Sequence, residues 1–105
     1  MKFASWNINS INLRKDAVLK WMSDENIDVL GLQEIKCETE KFPQDFFKEN
    51  DYYIEILGQK SFNGVAIISK YPIKLIRSKL PNLNENVHQS RYLEVEINNY
   101  IFTSI

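Results

Sequence analysis

Two stretches, Ser5-Trp6-Asn7-Ile8-Asn9 and Val29-Leu30-Gly31-Leu32-Gln33-Glu34-Ile35-Lys36, decide the fold. Each is an apolar run that ends abruptly in side chains able to hold a metal ion. Residues 2–8 are rich in β-formers and run into Asn9-Ser10, while residues 28–32 make the short, nearly all-apolar run of a strand covered on both faces. Both read as buried strands. The segment between them is long enough for a crossover helix, and a strand, helix, strand unit makes its two strands parallel with a right-handed connection. Asn7 and Glu34 then meet at the carboxyl ends of their strands, the edge of an open α/β sheet where ligands bind.

Taken singly, an Asn at a strand end is most often a turn former and a Glu after a strand a solvated loop residue. Together they are less ordinary, because Glu34 follows the apolar run directly and Gln33 precedes it. A carboxylate and an amide there suit a hard, oxygen-seeking cation such as magnesium that keeps several of its waters.

Outward from this pair, Ser10 or Asn12 can cap a helix running to about Glu25, with Ala17, Val18, Trp21 and Met22 on one side. An aromatic in a helical stripe reads as core, so Trp21 is assigned to packing; Trp6, alternating with Ala4 and Ile8, covers one face of the sheet. Residues 36–41 form a charged loop, and Pro43 starts a short helix anchored by Phe46 and Phe47. Residues 52–57 and 65–69 read as strands joined by Gly58-Gln59-Lys60-Ser61-Phe62-Asn63-Gly64, whose glycines permit backbone shapes that other residues avoid. Pro72 opens an edge-like strand over 73–77. Residues 80–89, which hold the only histidine, His88, have loop composition. Leu93, Val95 and Ile97 alternate with Glu94 and Glu96 in a half-buried strand, and Asn98-Asn99 turns it into a last strand over 100–105.

The chain has 105 residues, 44% of them hydrophobic, which suits one small globular domain without a membrane span. A formal charge of −1 excludes the broad basic stripe of a free-standing nucleic-acid binder, so any DNA contact must be local. Cys37 is the sole cysteine, with no Cys or His partner at ligand spacing; an internal disulfide is impossible and a zinc or redox role is disfavoured. The start, Met1-Lys2-Phe3, has no secretory pattern, and a reducing cytoplasm fits.

Residues 5–9, Gly31-Leu32-Gln33-Glu34-Ile35-Lys36, the run Gly58 to Ile67 and Arg91 before a strand resemble, in order and spacing, the exonuclease III family of abasic-site DNA endonucleases. The Trp-Asn and Leu-Gln-Glu pieces are shared with the wider superfamily of metal-dependent phosphoesterases; Lys36 and the 58–64 loop narrow the likeness to the DNA-repair branch. The resemblance implies that Asn7 and Glu34 are catalytic and metal-site residues, with Glu34 the direct ligand of Mg2+ (Mn2+ being the alternative). It gives Asn9 and Lys36 supporting positions, and places Lys60, Phe62, Asn63 and Arg91 near the DNA. The implied partner is duplex DNA with abasic sites or 3′ ends.

The fold so implied is α/β, half of a four-layered α/β sandwich with a mixed sheet and flanking helices, truncated before the second sheet. Family members run to about two hundred residues or more, and a Tyr-x-Pro-Asn segment, an Asp-x-Asn pair and a terminal Asp-His are not found here. The final apolar strand carries no covering element, so the expected completion is a missing carboxyl-terminal half or self-association. Three functions are open: part of a magnesium-dependent DNA phosphodiesterase, a non-catalytic binding remnant, or a phosphoesterase of the same fold acting on a non-DNA substrate. Lys36 and the 58–64 loop argue against the last.

Overall fold

Alternation along the first strand, β1 (Phe3–Asn7), sends Ala4 and Trp6 to one face and Phe3, Ser5 and Asn7 to the other, and the two faces meet different layers. The structure is a computed structural model that describes residues 1–59, 63–78 and 92–105. The first helix, α1 (Ile11–Asp24), leads from β1 to β2 (Val29–Gln33), which lies parallel to β1 with Phe3 opposite Val29 and Asn7 opposite Gln33. The strands β3 (Tyr53–Leu57) and β4 (Val65–Ser69) pair antiparallel, and β4 pairs antiparallel with β2. The resulting sheet is mixed, in the order β1-β2-β4-β3, as the strand assignments require.

The expectation that this chain stops short of a second sheet is corrected. β5 (Lys74–Arg77), β6 (Leu93–Ile97) and β7 (Tyr100–Ser104) form a three-stranded antiparallel sheet in that order. Its inward residues Leu93, Val95 and Ile97 pack on Val29, Val65 and Ile67 of the first sheet, with Leu57, Ile73 and Phe102 at the margin. Period-two alternation in β6 fixed which side is apolar; the covering layer was already at hand in β2 and β4. Asn98 and Asn99 both adopt positive φ (48° and 69°), the backbone of a two-residue hairpin turn.

The opposite face of the first sheet is covered by helices. Ile11, Val18 and Met22 of α1, with Phe42 and with Phe47 of the short helix α2 (Gln44–Lys48), join Ile8, Leu30, Leu32, Ile35, Ala66 and Ile68 in the larger core. Trp6 and Trp21 meet edge to face at 5.4 Å, so both serve packing as read. Two assignments need correction. Ala17 is exposed, because the buried stripe of α1 is centred on Ile11, Val18 and Met22 and leaves Ala17 beyond its edge. β1 is not buried on both faces: it is an edge strand, and opposite it the second sheet supplies Phe102 at 5.2 Å from Phe3, which remains 60% exposed. β2, one position inward, is the strand with both faces covered.

Gly58 is required by close approach, since a Cβ there would lie 2.2 Å from the Thr39 nitrogen and 2.6 Å from the Cys37 carbonyl oxygen. Neither backbone atom can yield. At Gly31 a Cβ would meet only the Ser104 side chain, at 3.4 Å. Gly58→Ala is therefore expected to lower unfolding stability by about 3 kcal/mol and Gly31→Ala by less than about 1 kcal/mol, measured by urea denaturation of the two variants.

Glu55 pairs with Ile67 and so faces the second sheet, and burial pushes its carboxyl above the usual range. A carboxyl raised in the folded state contributes its stability below the unfolded value and loses it as pH rises through the folded one. Glu55→Gln should raise the urea midpoint at about pH 7.5 and leave it unchanged at about pH 3, where both forms are neutral.

Candidate active site

The ladder between β1 and β2 does not stop with the strands. The Ile8 nitrogen donates to the Gln33 carbonyl at 3.0 Å, Ser10 to Glu34 at 2.9 Å and Ile11 to Ile35 at 3.1 Å. On the other side, Ile35 donates to the Gly64 carbonyl at 3.2 Å and Lys36 to that of Asn63 at 2.9 Å. Three chain segments are thus zipped together just past the strand ends. The expected side-chain cap of α1 is replaced by this ladder: Ser10 occupies the cap position at φ 90° with no side-chain cap bond, while its own amide and that of Ile11 are held by residues 34 and 35.

The ladder also holds unusual backbone. Asn9, Ser10, Glu34, Lys36 and Asn63 all have positive φ, between 47° and 90°, in addition to Gly64 at 82°. Such conformations cost non-glycine residues of order 1–2 kcal/mol each and persist only where surroundings impose them. At Glu34 the result is a side chain re-aimed at the point where a plain strand continuation would have sent it elsewhere.

Asn7, Gln33, Glu34, Asn63, Gly64, Val65 and Ile105 line a cleft of about 300 Å³ at the carboxyl ends of β1 and β2. Asn7 and Glu34 are thereby on one cleft, and Asn63 is on it too. Lys36 and Asn9 lie alongside: the Lys36 ammonium donates to Asn9 Oδ1, and Arg14 Nη1 donates to the Asn9 carbonyl at 2.8 Å. Lys36 forms no ion pair with a carboxylate among the described residues. Asn63 Nδ2 donates to Gln59 Oε1 at 3.3 Å. Lys60, Phe62 and Arg91 lie outside the described residues, as does His88.

The amide beside Glu34 is otherwise engaged. Gln33 Nε2 donates to Ser104 Oγ at 2.8 Å and Gln33 Oε1 accepts from Ser5 Oγ at 3.3 Å, so this side chain ties strands together and is not offered to a cation. Ser104, buried at the end of β7, went unnoticed; the available signal was a hydroxyl at an inward position of a strand, two residues after Phe102. Cys37 is buried, and burial pushes its thiol up, away from the thiolate that metal or redox chemistry uses.

The cleft offers oxygen donors that could take part in holding a hard divalent cation. Among the described residues no three His, Cys, Asp or Glu side chains gather, and the Glu34 carboxylate and the Asn7 side-chain carbonyl are the oxygen groups of this chain that could hold such a cation.

Known proteins share this sequence and fold. Residues 4–103 match the profile of the Endonuclease/Exonuclease/phosphatase family. The exodeoxyribonuclease III of Haemophilus influenzae is 37% identical over 85% of this chain and 33% of its own length. A 3′-5′ exonuclease from Neisseria meningitidis superposes with a TM-score of 0.92 at 32% identity, over 98% of this chain and 40% of that one. An AP endonuclease from Archaeoglobus fulgidus does so with 0.89 at 31% identity, again over 98% and 40%. This chain therefore spans between a third and two-fifths of the length of these relatives. With residues 4–103 matched to the family and 98% of the chain superposed on a related exonuclease, the chain belongs to the endonuclease/exonuclease/phosphatase family.

Proposed function

We propose that this chain supplies the metal-holding part of a magnesium-dependent DNA phosphodiesterase that acts at abasic sites and 3′ ends. The observation that carries the reading is the convergence of Asn7 and Glu34 on one cleft at the carboxyl ends of two parallel strands. The relatives lend it direction: their names describe an exodeoxyribonuclease, an exonuclease and an AP endonuclease, and a Neisseria 3′ phosphatase of this fold was solved with a product DNA hairpin.

In this reading Glu34 holds the cation through its carboxylate and Asn7 adds a neutral oxygen. A bound magnesium ion supplies Lewis-acid polarisation of a phosphoryl oxygen and offsets the charge that develops on hydrolysis. Lys36, fixed by Asn9, stands at the lip of the cleft as a positive charge for a phosphate of the substrate. Asn63 on the cleft wall, and Lys60, Phe62 and Arg91 by resemblance, would follow the duplex backbone and set its register without reading sequence. No described helix is long and apolar enough to cross a membrane, and the single cysteine suits a reducing cytoplasm.

Two experiments test the reading. With 15N-labelled chain, Mn2+ should broaden the amides of Asn7, Glu34 and Gly64 first. Glu34→Gln should raise the half-broadening concentration about 100-fold, by analogy with the loss that follows damage to a metal's ligand shell; equal broadening in both would remove Glu34 from the site. The same two proteins, given a duplex with one abasic site and either magnesium or chelator, then report whether incision by this chain requires both Glu34 and the metal.

Lys36→Met should weaken binding to a nicked or abasic duplex uniformly across sequences. It should also reduce the slope of log affinity against log salt by about 1, as loss of one phosphate contact does. An unchanged slope would assign Lys36 to holding Asn9 alone.

A further inference from the structure

A polar contact crosses between the two sheets beside their apolar interface. Ser104, 1% exposed at the end of β7, donates its hydroxyl hydrogen to the Leu32 carbonyl at 2.8 Å and accepts from Gln33 Nε2 at 2.8 Å. Gln33 is held at its other end by Ser5 Oγ of β1. The two residues immediately before Glu34 are thus gripped from both sides, one by its carbonyl and one by its side chain. Burial does not need this pair. The surrounding interface of Val29, Val65, Ile67, Leu93, Val95 and Ile97 is apolar, and a valine at 104 would suit it. What a buried, fully paired polar contact adds is direction: it is satisfied in one arrangement and costly in any other.

That direction bears on the cleft. Glu34 departs from β2 at φ 50°, a conformation kept only while its neighbours are fixed. Ile105, the residue after Ser104, forms part of the cleft wall with Asn7 and Glu34. The same contact therefore sets both the turn that carries the carboxylate and the spacing of the wall contributed by the second sheet.

We propose that Gln33 and Ser104 form a latch between the sheets that fixes the turn carrying Glu34, and that both are positioning residues for the cation site. The second half of the proposal rests on the role given to Glu34 above. The latch itself does not.

The test uses Gln33→Ala, Ser104→Ala, their double variant and Ser69→Ala. Ser69 is a matched control: a buried serine whose hydroxyl accepts from the Tyr71 nitrogen at 2.9 Å, opposite Val29 at the far end of the same sheet. Amide hydrogen exchange of the labelled chain reads the latch. The amides of Ser10, Ile11 and Ile35, which close the ladder around Glu34, should lose about tenfold more protection than the globally exchanging core in either single latch variant. The double variant should lose less than the sum of the two singles, since both remove the Gln33–Ser104 bond while each also removes one of its own. Mn2+ broadening of the Asn7 and Gly64 amides reads the site, and the half-broadening concentration should rise about five- to tenfold with the latch broken, within the range seen when groups behind a metal ligand are lost. Ser69→Ala should lower global stability and move neither readout. If the three amides merely follow the core, as in the control, the latch is overturned whatever the metal does. Lost protection with unchanged Mn2+ affinity overturns the positioning role, and lost protection in a chain that shows no Glu34-dependent broadening upholds the latch while removing the cation reading.

Discussion

The parallel ladder that runs on past the ends of β1 and β2 is the constraint on which the rest depends. Buried backbone groups must find partners, and here the amides of Ile8, Ser10 and Ile11 find them on Gln33, Glu34 and Ile35. This pairing starts α1 without a side-chain cap, turns the chain after β2, and brings the 63–64 segment alongside through Ile35 and Lys36. Five non-glycine residues with positive φ lie along it. Their combined cost is tolerable because the conformations are imposed by several hydrogen bonds at once, and two of the five, Glu34 and Lys36, lack the local side-chain hydrogen bonding that lets Asn visit this region easily. A strained carboxylate at the mouth of a cleft is a directed one.

The division into two cores explains where the cleft can form. The helix-side core is continuous from Ile11 to Phe47 and includes the aromatic pairs Trp6 with Trp21 and Phe46 with Phe47. The core between the sheets is smaller and thins toward β1, where Phe3, Ser5 and Asn7 face outward from an edge strand. The cleft lies at the strand ends, where Asn7, Gln33 and Glu34 meet Gly64 and Ile105. The Gln33–Ser104 contact sits between this core and the cleft, which is why a polar pair there governs the geometry of both.

Much of this was legible in the sequence, and what was not has physical causes. The parallel pair β1 and β2, the antiparallel pair β3 and β4, the helix from about Ser10, and the β6 turn at Asn98-Asn99 all follow from periodicity and turn chemistry, and Asn7 and Glu34 reach one cleft as their strand-end positions required. Period two tells which side of a strand is apolar but not what covers it, so the second sheet and the exposed edge of β1 could not be read. Gln33 looked available because sequence shows its amide and not the two serines, far away in the chain, that occupy it. Ala17 illustrates a finer limit: small apolar residues sit as readily at the margin of a helical stripe as within it. The roles given to Lys60, Phe62 and Arg91 fall on residues outside those described and remain readings from resemblance.

Glu34 is the carboxylate side chain that the described residues of this chain bring to the cleft. At a formal −1, with Lys36 and Arg14 gathered at Asn9 beside Glu34, the local field is closer to neutral than a cage of several acids would make it. In the proposed reading, a polyanionic substrate would meet the Lys36 ammonium near this carboxylate, and a cation held there would have positions left for the substrate's own phosphate oxygens. Metal and phosphate would then bind best together. In the proposed reading, this chain's donor set, which by composition alone resembles an ordinary loop, would leave coordination positions to phosphate oxygens.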